Sequence, residues 1–161
     1  MQVKWEILFG ILLALMPNLA ITVFGFTCSI SSTNMDFGII NPYDYIAETT
    51  KGSVSVTCSP DVKEDQQVIY TVTFNTGNSK SNTARKLYKN DATVLSYNIF
   101  DSGGYVNIYG DGTNGTMQIT NKYDIHDVPQ TDIFIIYGKI PVQPVSLEGI
   151  YTDSLTITLS Y

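Results

Sequence analysis

The chain ends on GIYTDSLTITLSY, Gly149 to Tyr161. From Ser154 onward apolar and hydroxyl side chains alternate without a break. Leu155, Ile157, Leu159 and Tyr161 fall on one face, and Ser154, Thr156, Thr158 and Ser160 fall on the other. Period-two alternation with β-branched residues is the pattern of a strand with one buried face. A strand placed last in the chain needs a neighbour on each edge and a cover for its apolar face.

Composition favours sheet. Only 15% of the 161 residues are charged, and Thr, Val, Ile and eleven Tyr outweigh helix formers. The net charge of −6 argues against a nucleic-acid partner, because phosphate binding needs a basic face. Length allows one domain.

Residues 1–25 read as an export signal. Lys4 precedes an apolar run from Ile7 to Met16, which Pro17 and Asn18 break, and cleavage fits after Gly25 or after Ala20. The run suits a signal core and is too short to span a bilayer. An uncleaved anchor running on to Phe26 is the weaker alternative, because Pro17 and Asn18 interrupt it. Export gives Cys28 and Cys58, the only two cysteines, a disulfide reading. Such a bridge stabilises by roughly 3–4 kcal/mol on the chain-entropy view. A tetrahedral metal site is a poor alternative with two distant thiols and one histidine.

The mature part, 26–161, reads as seven to nine short strands between turns, an all-β sandwich. Strand patterns cover Phe24 to Ile30, Gly52 to Ser59, and Val68 to Phe74. SSTNMDFGIINPYD reads as turns. Val94 to Phe100 reads as one run. Tyr105–Tyr109 and Thr116–Thr120 flank a tight turn at Asn114-Gly115. Thr131 to Pro141 is almost continuously apolar, which predicts a central strand covered on both faces.

Candidate chemistry is sparse. His126 sits in YDIHDVPQ with Asp124 and Asp127, without any nucleophile motif, and reads as a loop histidine. YGDGTNGT lacks the ligand order of a calcium loop despite Asp111, Thr113 and Asn114. Asn114-Gly115-Thr116 fits a glycosylation sequon, but a turn explains it. Arg85, Lys86 and Lys89 read as a solvated loop. No catalytic residue and no cofactor are expected.

Several boxes in order resemble the spore coat protein U domain family, the subunits of archaic chaperone–usher (Csu-type) pili. They are CSISSTNMDFGIINP, GSVSVTCS, YTVTFNTGNS, ARKL, VLSYNIF and YGDGTNGT, the last with Tyr109 where the family has Trp. IYGKIPVQPVSLEGIYTDSLTITLSY completes the set. The likeness spans about residues 28 to 161.

The resemblance implies an incomplete immunoglobulin-like sandwich that lacks its final strand, complemented by a partner strand.

 The lining residues the resemblance assigns to the strand-accepting groove are Leu155, Ile157, Leu159 and Tyr161 from the last strand, facing Phe26 and Ile30 from the first, with Cys28–Cys58 tying the first strand to the second. The same residues would serve as ordinary core in a closed sandwich.

The partners implied are a periplasmic pilus chaperone, an outer-membrane usher and neighbouring pilin subunits, in the periplasm and then at the cell surface. The physics is β-augmentation, in which backbone hydrogen bonds give affinity and side-chain pockets give specificity. Cleavage at either site leaves few residues ahead of Cys28, so the expectation is a subunit that accepts a strand without donating one, at a tip or terminal position. The alternatives are a spore-coat or surface-matrix protein outside any fibre, and a secreted carbohydrate-binding β domain. Paired catalytic carboxylates near recognisable motifs are missing, which weighs against hydrolysis.

Overall fold

Alternating apolar residues build nine strands in the computed structural model, which describes residues 25–41, 43, 45–90, 92–144 and 147–161. The export-signal reading lies outside the described residues except for Gly25. In chain order the strands are β1 (Phe26–Ser32), β2 (Glu48–Pro60), β3 (Gln66–Phe74), β4 (Lys86–Asn90) and β5 (Thr93–Ser96). They continue with β6 (Asn98–Phe100), β7 (Ile119–Ile125), β8 (Gln130–Ile140) and β9 (Ile157–Ser160). Among the described residues the helical content is one short 3₁₀ turn, Gly77–Ser79.

One sheet has the order β1-β2-β8-β6, a second has β7-β3-β9, and β4 and β5 form a small third. All the strand pairs are antiparallel. The core lies between the two larger sheets. Val54, Val56 and Cys58 of β2 and Ile136 and Ile140 of β8 share it with Val68, Tyr70, Val72 and Phe74 of β3. Burying each such side chain contributes about 1.5–3 kcal/mol. Cys28 and Cys58 are direct partners in the β1–β2 register and are joined by a disulfide.

Three expectations from the sequence are corrected. The run from Val94 to Phe100 is two strands in different sheets, because Tyr97 interrupts it. The Tyr97 N–H donates to the Arg85 carbonyl at 3.1 Å, and its ring turns inward. The strand β8 is central yet covered on one face only, since Ile133 is 65% and Ile135 43% exposed on its outer side. The flanks of the Asn114-Gly115 turn form only an isolated bridge between Tyr109 and Met117, not a hairpin ladder. The turn itself stands: Asn114 and Gly115 both have positive φ, and the Thr116 N–H donates to the Thr113 carbonyl at 2.9 Å.

Candidate strand-docking groove

The two sheets part along the flank bounded by β1 and β9. Each of these strands has one partner among the described residues, β2 for β1 and β3 for β9. Their other edges therefore leave backbone groups without a ladder. At one end the flank is pinched, with the rings of Phe26 and Tyr161 5.7 Å apart. Toward Ser32 on one side and Leu155 and Ile157 on the other, it widens into a cleft of about 1350 Å³. The end of β9 thus lies beside the start of β1, and the two edges run in opposite directions.

Of the residues assigned from the sequence, Leu155 and Ile157 line the wide cleft. Phe26, Ile30 and Leu159 pack against the core without lining it, and Tyr161 is 57% exposed. The regular ladder of the last strand is shorter than its alternation suggested, because pairing with β3 covers only Ile157 to Ser160. Just before it, Asn75 holds the chain on both sides: its N–H donates to the Thr156 carbonyl at 3.0 Å, and its Oδ1 accepts from the Thr156 N–H at 2.8 Å.

Sequence reasoning missed the other walls. The segment after β1 brings Met35 and Phe37 into the cleft, where the sequence suggested only turns. Two glycines make this possible. A Cβ on Gly52 would come within 2.7 Å of Met35 Cγ, and one on Gly138 within 2.9 Å of Phe37 Cζ. The spacing of Met35 and Phe37 around polar Asp36 was the available signal. Leu87, Leu95 and Tyr97 complete the far side from the β4–β5 region.

Behind that side lies a polar knot that the sequence reading placed in a solvated loop. Arg85 is fully buried. Its guanidinium donates to the Asn75 carbonyl at 3.2 and 2.8 Å, to the Asn82 carbonyl at 3.1 Å and Oδ1 at 2.9 Å, to Asn98 Oδ1 at 2.7 Å and to the Tyr109 carbonyl at 2.8 Å. Burial lowers its pKa, although the arginine remains a cation at ordinary pH. Next to it, the Tyr97 hydroxyl donates to Asp153 Oδ2 at 2.7 Å, and burial followed by this hydrogen bond raises the tyrosine pKa. The other Asp153 oxygen accepts from the Asn78 N–H at 2.9 Å, which anchors the segment leading into β9.

The remaining candidates are local. His126 contacts Asp65 at 2.5 Å and Asp127 at 3.3 Å at the surface. Asp111 accepts from the N–H and hydroxyl of Thr113 at 3.0 and 2.7 Å, and these bonds hold its carboxyl below the usual range. Among the described residues no cluster of His, Cys, Asp and Glu is placed to hold a metal.

A family model described as Spore Coat Protein U domain matches residues 17–158. The chain belongs to that family. A search of curated proteins finds no match. Among solved structures, this Spore Coat Protein U domain is similar to a chain in the crystal structure of the CsuC–CsuE chaperone–tip adhesion subunit pre-assembly complex, from archaic chaperone–usher Csu pili of Acinetobacter baumannii. The TM-score is 0.53 at 19% identity, over 84% of this chain and 40% of that one. At that identity the likeness is one of fold. In the Spore Coat Protein U domain described here, Tyr109 stacks on Phe74 with ring centroids 5.3 Å apart, and its carbonyl receives Arg85.

Proposed function

We propose that the protein is a structural, non-catalytic subunit of a surface appendage of the chaperone–usher type, and that its β1–β9 flank accepts a strand from a partner. In this reading the fold is an incomplete immunoglobulin-like sandwich lacking its last strand. The observation that carries the reading is the flank itself. Two unpaired edges, with no charged side chain in β1 or β9, border a cleft walled by Leu155, Ile157 and core residues. An inserted strand supplies the absent backbone partners and lays alternate side chains into that cleft. The fold likeness to a chaperone-bound complex supports the same reading.

The partners proposed are a periplasmic chaperone, an outer-membrane usher and neighbouring subunits, with export to the periplasm and then the surface. A tip or terminal position follows if processing leaves no donor segment ahead of Cys28, and N-terminal sequencing of the exported protein decides it. The test of the acceptor role is expression with and without a co-expressed periplasmic pilus chaperone. Recovery of folded protein should depend on the chaperone. A soluble, heat-stable monomer obtained in good yield without it contradicts the proposal.

A further inference from the structure

The flank opposite the groove carries another unpaired edge. Strand β8 pairs with β2 along its whole length, but β6 covers only Tyr137 to Lys139 on its other side. From Gln130 to Ile136 that other edge has no strand partner among the described residues. The uncovered length exceeds the common strand of about five to six residues. Along it, alternate residues turn their N–H and C=O groups away from β2.

Its side chains distinguish it from its neighbour on the same flank. Among the described residues the edge of β7 is also paired on one side only, with β3, but it shows exposed Lys122 and Asp124. Charges of this kind are how exposed edges avoid pairing with other chains. The uncovered part of β8 has no such guard. Its outer face shows Thr131, Ile133 and Ile135, with the two isoleucines exposed. The one charged residue in the stretch, Asp132, is held by the Tyr70 hydroxyl at 2.6 Å and the Asn121 side-chain amide at 3.0 Å.

We infer that this edge of β8 pairs with the same edge of a second copy of the chain, antiparallel about a two-fold axis. The unpaired backbone calls for a strand as the occupant. The absence of free charge lets an identical strand be that occupant. Centred on Ile133, the register sets Ile133 opposite its own copy and Thr131 opposite Ile135, with no like charges facing. The contact is isologous, so it closes as a dimer. It is separate from the β1–β9 groove and does not rest on the strand-acceptor reading.

The test is sedimentation velocity of the full chain at rising concentration, together with oxidative cross-linking. A dimer should form, and Ile133→Lys or Ile135→Lys should abolish it without changing the melting temperature at dilutions where the parent chain is monomeric. Ile133→Cys should give a disulfide-linked dimer on oxidation. Ile69→Cys, at an exposed position on the outer face of β3, should not. A protein that stays monomeric, or an Ile133→Cys variant that does not cross-link, overturns the inference. A dimer lost in Leu155→Lys but kept in Ile133→Lys also overturns it, and assigns association to the groove instead.

Discussion

The β1–β9 flank and the Arg85 knot are neighbours that treat their polar groups in opposite ways. Along the flank, backbone groups of two strand edges are left without ladder partners beside apolar walls. In the knot, one cation is removed from water and meets six acceptor contacts from Asn75, Asn82, Asn98 and Tyr109. A buried charge must be satisfied within the chain, because leaving it unpaired costs several kcal/mol. A strand edge at the surface carries no such cost, because water pairs with it until a partner arrives. The rigid knot supports the wall of the flank that remains open.

The contrast breaks most severely at Arg85. Arg85→Ala removes all six guanidinium contacts and takes this donor from the Asn75 and Tyr109 carbonyls, while the Asn82 carbonyl keeps the Asn98 side-chain amide, so we expect a loss of roughly 3–5 kcal/mol. Chemical denaturation of the oxidised protein measures it. A loss below about 1 kcal/mol, the range of an ordinary exposed site, would mean that the knot does not support the fold.

A smaller effect is expected where the knot meets the last segment. Gly77 has φ of +60°, and a Cβ there would collide with the Asp153 carboxylate. Gly77→Ala should destabilise by about 2 kcal/mol, through the left-handed backbone and displacement of Asp153 from Tyr97 and Asn78. Thermal melts of the variant check this. The groove should suffer too, since Leu155 and Ile157 follow directly.

The mildest effect concerns alkaline pH. Burial raises the pKa of Tyr97 and Tyr70, and hydrogen bonds to Asp153 and Asp132 add to the shift. The unfolded chain loses these protons near pH 10 while the folded chain keeps them. Stability should therefore be level with respect to these groups below about pH 10 and fall above it. Tyr97→Phe and Tyr70→Phe should each flatten the fall, as denaturation at several alkaline pH values will show.

Much of the fold was legible because alternation marks a buried face. The inward positions of β2 and β3 were of this kind, whereas the pairing of Cys28 with Cys58 was legible from an exported chain with two cysteines. Other features required distant partners. Arg85 looked solvated because nothing in ARKL announces that Asn75, Asn98 and Tyr109 converge on it. The isoleucines of β8 looked doubly buried because an apolar run cannot reveal that, among the described residues, Ile133 and Ile135 stay exposed on its outer face. Met35 and Phe37 entered the cleft through space left by Gly52 and Gly138 on other strands. The last strand showed its apolar face plainly, but where its ladder ends depends on β3.

Hydrogen exchange on the backbone of β1 and β9, with and without a synthetic peptide of alternating apolar residues, tests the open flank most directly. In protein freshly released from its chaperone, amides on the free edges of these strands should exchange rapidly while those around Arg85 stay protected. Adding the peptide should protect β1 and β9 and leave the knot unchanged. Edges already protected in the isolated protein, or no gain of protection at a saturating peptide concentration, would contradict a groove built to receive a strand.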